Sequence, residues 1–167
     1  MASGKSLVAT YLVEHHGFTE LCFAKKMKEV CAELFPHAKY DKDRWLLIQV
    51  GELLRELDAN VWIRFVLQDI KPDANIVISD VRLPKEYWAL RRLNFAMVRM
   101  YVSRQSQLAY IAKAYPDMPL VLLDDYTETA LDNYPFDFCI DNDLAVPLEE
   151  VYKQVDIMLE EIKIGRY

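Results

Sequence analysis

The sequence predicts an α/β fold built on a mainly parallel sheet. Amphipathic helical stretches alternate with short apolar runs along the whole chain, the pattern that places parallel strands between helices. One run, Asn75-Ile76-Val77-Ile78-Ser79, has a β-branched centre and ends in Asp80, as expected of a strand covered on both faces. The size agrees. A chain of 167 residues, 53% hydrophobic and 28% charged, suits one domain (1–167) with a substantial core. No internal repeat, low-complexity tract or linker interrupts it.

The elements follow in order. A helix is expected from about Gly4 to His15, ended by Gly17 and with His15 and His16 complementing its dipole. Phe18 to Phe23 alternates like a strand, and Ala24 to Leu34 reads as a helix with Met27, Val30, Cys31 and Leu34 on one face. Phe35 to Asp43 is a polar connection. Leu46, Val50, Leu53, Leu54 and Leu57 recur at helical spacing, and Asp58 is the expected N-cap of a following helix that turns Val61, Trp62, Phe65 and Val66 inward. Beyond the Asn75–Ser79 strand, Pro84 to Leu93 is a helix with proline in its first turn, and Phe95 to Tyr101 is a strand. Ser103 to Ala114 is a helix, Leu120 to Leu123 a short apolar segment, and Phe136 to Ile140 the last strand. Pro147 opens a final helix striped by Leu148, Val151, Val155, Met158 and Ile162.

Composition excludes several function classes. With 20 Lys+Arg against 26 Asp+Glu the formal charge is −6, which argues against a general nucleic-acid binder. The apolar runs are far shorter than the roughly 20 residues that span a bilayer, and Glu14, His15 and His16 soon after Lys5 do not read as a secretory signal. Three cysteines, Cys22, Cys31 and Cys139, lack metal-ligand spacing and fit a reducing cytoplasm. Glycine is scarce: Gly4, Gly17, Gly51 and Gly165 are all there are, about 2% against a usual ~7%. Each therefore needs a local reason.

The chemistry begins at Ala2-Ser3-Gly4-Lys5-Ser6, which precedes a helix and matches the second half of a phosphate-binding loop, G-x-x-x-x-G-K-[ST]. In that loop the amides cradle phosphate oxygens, the lysine reaches the β and γ phosphates, and the hydroxyl ligates Mg²⁺. A helix start with Ser3 as its cap and Lys5 in solvent is the plain alternative. The first glycine of the pattern would fall two residues ahead of Met1, together with the strand that normally carries the loop. The expectation is a natural reading frame that starts about ten residues earlier.

From Ser3 to the last helix the chain resembles the bacteriophage-type deoxynucleoside monophosphate kinases, a branch of the P-loop nucleoside monophosphate kinases. The resemblance is carried by Ala2 to Ser6 with Val8-Ala9 and Tyr11-Leu12, by Gly17-Phe18 and Phe23-Ala24, and by Arg44 to Leu47 with Gln49, Gly51 and Arg55. It continues through Asp58 with Val61-Trp62, then Val77-Ile78-Ser79-Asp80-Val81-Arg82-Leu83-Pro84 with Glu86, then Thr127 to Leu131 and Asp137 to Asn142. It implies a three-layer α/β/α P-loop fold with a central parallel sheet. The implied reaction moves the γ-phosphoryl group of ATP, with Mg²⁺, to a deoxynucleoside monophosphate, in the cytoplasm of a bacterium or phage-infected host. The implied partners are small nucleotides, neither nucleic acid nor membrane, and a homodimer is left open.

The resemblance also gives the residues roles. Ser3, Gly4, Lys5 and Ser6 would bind the triphosphate, with Lys5 catalytic and Ser6 on the metal. Asp80, at the carboxyl edge of its strand where α/β ligands bind, would hold Mg²⁺ or orient the acceptor; a helix cap before Pro84 is the alternative. Arg82 would grip the acceptor phosphate, or else pair with Glu86 on the surface. Arg44 and Arg55, 11 residues apart and so about three helical turns, would line the monophosphate pocket or be solvated. Gly51 inside that helix would admit a substrate or a crossing helix. Arg104 would close over the transferred group from a lid at about 102–118, whereas Arg99 reads as a strand-edge charge. Asn142 would touch the base of ATP or form a turn. Trp45, Trp62 and Trp88 read as core or groove aromatics. Two rivals stay open: a P-loop kinase for another small acceptor such as dephospho-coenzyme A, and a nucleotide-binding protein with little turnover because the loop is incomplete.

Overall fold

The computed structural model describes residues 2–37, 44–114 and 126–165, without the side chains of Arg44 and Trp45. The expected Leu120–Leu123 segment, part of the 35–43 connection and the 115–118 end of the lid lie outside the described residues. The chain packs as two compact units, one formed by Leu12–Val81 and one by Met1–Tyr11 with Arg82–Tyr167. Helix α1 (Lys5–His16) contributes residues to both.

The Leu12–Val81 unit holds β1 (Thr19–Leu21), α2 (Phe23–Leu34), α3 (Arg44–Leu57), α4 (Val61–Leu67) and β2 (Ile76–Ile78). Gly17 ends α1 at φ +69°, a conformation that suits glycine, and the turn lets the Phe18 amide reach the Leu12 carbonyl at 3.2 Å. β1 and β2 are parallel, with Thr19 opposite Ile76 and Leu21 opposite Ile78. The helices α2, α3 and α4 pack on one another around Cys31, Leu47 and Val50, flanked by Met27, Leu46 and Leu54. Gly51 belongs to this crossing. A Cβ there would lie 2.7 Å from Met27 Sδ, and the Gly51 carbonyl accepts the Trp62 indole N–H at 3.1 Å. Of the two reasons open for this glycine, the helix crossing is the one observed.

The other unit holds α5 (Pro84–Arg91), β3 (Val98–Tyr101), α6 (Arg104–Ala114), α7 (Tyr126–Thr129), β4 (Phe138–Asp141) and α8 (Leu148–Lys163). β3 and β4 are parallel, with Val98 opposite Phe138 and Tyr101 opposite Asp141. α8 packs on β4, and Gln154 clasps the strand end by bonding both the amide and the carbonyl of Asp141. Val151 and Val155 of α8 are fully buried, each contributing about 1.5–3 kcal/mol relative to exposure. Tyr87 on α5 is also fully buried; its ring meets Tyr134 and Phe136 edge-on, and its hydroxyl donates to the Pro135 carbonyl.

Several expectations change. Among the described residues the strands pair as two two-stranded parallel sheets, one in each unit. β2 is half-buried along its length instead of covered on both faces. α4 opens at Val61 behind Asn60, not at Asp58, because the Asp58 carboxylate is occupied locally: it accepts the Asn60 amide at 2.9 Å and pairs with Arg64. Within α4 the buried set is Trp62, Ile63 and Val66, and Phe65 is 37% exposed. On α8 the stripe is rotated, with Leu159 buried and Leu148 44% exposed. The four-residue helix α7 had no periodic signal. No helix among the described residues is long and apolar enough to cross a membrane.

Candidate functional site

The Gly-Lys-Ser turn is built from unusual backbone. Ala2 and Gly4 both take left-handed conformations, at φ +52° and +86°. Alternation of this kind turns successive amides toward one side, which favours an anion there. Lys5 and Ser6 then form the first turn of α1, which carries no acidic residue. The Lys5 ammonium donates to the Ser3 hydroxyl at 2.9 Å, and Ser6 is exposed with no partner among the described residues.

The turn rests on Asn142, the first residue past β4. Its amide continues the strand pairing to the Tyr101 carbonyl at 2.9 Å, and its carboxamide donates to the Ser3 carbonyl at 3.1 Å. Asn142 and Ser3 are both buried. A Cβ on Gly4 would collide with the Asn142 carboxamide, so glycine is required here for space as well as for φ. Asn142 thus braces the loop through its side chain.

Arg82 belongs to the same unit. Its amide and that of Leu83 are both accepted by Glu86, at 2.9 and 3.0 Å, so Glu86 caps α5 and leaves the Arg82 guanidinium to another partner. That partner is Glu128 on α7, bonded through Arg82 Nη1. Burial pushes the Glu128 carboxyl upward, and the surrounding positive charges, Arg82 and Lys5 among them, outweigh burial and leave it below the ordinary carboxylate range. Lys5 and Arg82, 77 residues apart in sequence, therefore act on one buried carboxylate.

Asp80 and Arg55 lie in the Leu12–Val81 unit. Asp80 follows β2, as expected, but the helix that it caps is α2 and not α5: its two oxygens accept the amides of Phe23 and Ala24 at 3.1 and 2.8 Å. Cys22, at the N-cap position, supplies no side-chain cap bond, which leaves that role to Asp80. Beside it, Ser79 donates to Glu20 at 2.5 Å and the Cys22 thiol approaches the same carboxylate at 3.5 Å. Burial first, then the charges of Asp80 and Glu20, push the Cys22 thiol up to about 11, so it is no nucleophile at neutral pH. Arg55 is half-buried, its Nη1 lying over Gly51. Arg44 opens α3, and its side chain lies outside the described residues.

Arg104 begins α6, exposed, and bonds Gln107 one turn on at 3.2 Å. Arg99 pairs with Asp132 at 2.7 Å and lies over the Phe136 ring, consistent with a strand-edge charge. No group of three His, Cys, Asp or Glu among the described residues is placed to hold a metal by itself. Sequence reasoning assigned no role to Glu128, 46 residues from Arg82, nor to Asp143, which binds the Ser103 amide at 2.8 Å and the Ser106 hydroxyl at the start of α6. Glu128 lies in the Thr127–Leu131 segment that carries the resemblance, which marked the place without a role; for Asp143 the signal was an acid just past a strand.

No family model matches the chain. It is similar to the mimivirus (Acanthamoeba polyphaga mimivirus) protein named "Putative deoxynucleotide monophosphate kinase", at 29% identity covering 59% of this chain and 68% of that protein.

Proposed function

We propose that this protein is a nucleotide kinase that transfers the γ-phosphoryl group of ATP to a deoxynucleoside monophosphate. The observation that carries the reading is the Gly4-Lys5-Ser6 turn: left-handed backbone before a helix start without acids, braced from beneath by Asn142. The named relative supports the same class of reaction. So does the parallel pairing of both sheets, as the three-layer P-loop architecture would require.

In this reading Lys5 and the first-turn amides of α1 hold the triphosphate, and Arg82 receives the acceptor's phosphate, for which a guanidinium offers a bidentate fork. Arg55 and Arg44 serve the acceptor side, and Arg104 closes on the transferred group. For Mg²⁺, which takes few protein ligands beside phosphates and waters, the reading assigns the exposed Ser6 hydroxyl and the Asp80 carboxylate, each a hard oxygen donor. When bound it would neutralise phosphate charge. No protein nucleophile is required, because an acceptor phosphate oxygen attacks the γ-phosphorus as the bond to the β-phosphate oxygen breaks. A raised Cys22 thiol agrees with that economy.

The test is ATP- and Mg²⁺-dependent phosphorylation of a panel of deoxynucleoside and ribonucleoside monophosphates, with dephospho-coenzyme A included. Diphosphate formed from at least one deoxynucleoside monophosphate is expected. Turnover of dephospho-coenzyme A alone, or of nothing by the folded protein, rejects the reading.

A further inference from the structure

The pairing of Arg82 with Glu128 has an asymmetry that goes beyond a surface ion pair. The Glu128 side chain is 8% exposed and the Arg82 side chain 38% exposed, so the carboxylate is the anchor and the guanidinium the part that meets solvent. The contact uses one nitrogen, Nη1; the remaining guanidinium donors have no partner among the described residues. The Arg82 backbone is fixed independently, through its amide on Glu86 at the start of α5. An arginine held at one end by its backbone and at one nitrogen by a buried carboxylate has lost most of its rotamer freedom before any ligand arrives.

We infer that Glu128 is a positioning residue: by holding Arg82 Nη1 it presents the outer edge of the guanidinium to the phosphate of a nucleoside monophosphate. The inference rests on the kinase reading above and adds to it the residue that orients the acceptor's phosphate contact. Lys5 adds a minor share, since its positive charge also acts on Glu128 and favours the ionised carboxylate. A neutral side chain at 128 would leave Arg82 to sample rotamers that turn the fork away.

The experiment titrates each of the four common deoxynucleoside monophosphates, without ATP, into wild type, Glu128→Gln, Arg82→Lys and the double variant, and then measures KM and kcat for the same proteins. Glu128→Gln is expected to weaken monophosphate binding and raise its KM about tenfold with little change in kcat, a loss of the size of one charge-assisted hydrogen bond. Glu128→Asp, which keeps the charge but draws it back by one methylene, should fall between wild type and Glu128→Gln, and it supplies the comparison should Glu128→Gln not fold. In the Arg82→Lys background the Glu128→Gln effect should disappear, because the positioned fork is already gone. If wild type binds a monophosphate and Glu128→Gln binds it equally well, or if the two losses simply add, the positioning role is overturned and the kinase reading stands. If wild type binds none of the four, both fall together.

Discussion

Two helix starts in this molecule receive opposite treatment. At α2 the carboxylate of Asp80 accepts the amides of Phe23 and Ala24, and Glu20 adds a second negative charge nearby. At α1 the first turn contains no acid, the preceding residues Ala2 and Gly4 are left-handed, and Lys5 contributes a positive charge. Helix N-termini attract anions in general. One of these has its anion built in, so its first amides are already satisfied. The other has a cation and an exposed hydroxyl instead. The difference shows why a helix start identifies no site by itself: what decides is whether the chain already supplies the anion.

The strongest way to break the comparison is to remove the cation. Lys5→Ala is expected to lower turnover of the best monophosphate by about 10²–10³-fold, the usual cost of deleting one preorganised donor at a developing charge. Steady-state kinetics check it, and an unchanged rate would mean that the α1 start is as inert as the α2 start.

Gly4→Ala attacks the same turn through its backbone. Alanine at φ +86° is strained by about 1–3 kcal/mol, and its Cβ would meet the Asn142 carboxamide, so overpacking adds to the loss. Urea denaturation should show a destabilisation of about 2–4 kcal/mol. Adding Asn142→Ala to Gly4→Ala removes the collision but not the strain. The double variant should therefore be less destabilised than the sum of the two single changes.

Asp80 sharpens the comparison from the other side. Asp80→Ala removes the α2 cap and should cost about 0.5–2 kcal/mol in urea melts, whereas Asp80→Asn keeps one acceptor oxygen for two amides and should fall between wild type and Asp80→Ala. If Asp80 also holds Mg²⁺, as proposed, Asp80→Asn lowers turnover about tenfold or more under conditions where the variant remains folded. Turnover equal to wild type would leave Asp80 with the capping role alone.

These pairs mark where the sequence was readable. Local periodicity disclosed α3 and α8 within a few residues, and Pro84 disclosed α5, since each signal lies within its own segment. Val151 and Val155 bury a face of α8 as expected, whereas of the expected α3 stripe Val50 is buried, Leu53 and Leu57 are exposed, and Leu47 joins the core instead. Gly4-Lys5-Ser6 was legible for the same reason, being contiguous. The partner of Arg82 was not. The near acid Glu86 satisfied the local rule, yet it bonds the backbone amides, and the guanidinium goes to Glu128 across 46 residues. Asp80 likewise has Pro84 close by in sequence, while its amides come from Phe23 and Ala24, over 50 residues away. Side-chain acceptors are assigned by tertiary neighbours, and one sequence carries no record of those. The short α7 is held by its surroundings too, since four residues are far below the length at which a helix sustains itself.

The smallest expected effect concerns the third helix start, α6, which resembles α2 in having an acid supplied from elsewhere. Asp143 accepts the Ser103 amide and the Ser106 hydroxyl, and these bonds hold its carboxyl down to about 2. A carboxyl depressed on folding contributes stability that is complete above its unfolded value, near 4, and is lost as pH falls through the folded value. The contribution should therefore fade between about pH 4 and pH 2. With 26 Asp and Glu in the chain, other acids titrate in the same interval, so the wild-type curve alone is not diagnostic. The difference between wild type and Asp143→Asn is. Asparagine cannot offer two carboxylate oxygens to the amide and the hydroxyl at once, so the variant at neutral pH already lacks what wild type loses in acid. Denaturant midpoints measured from pH 7 downward should show the variant below wild type at neutral pH and the two converging toward pH 2. A constant gap would mean that Asp143 holds α6 by shape and not by charge.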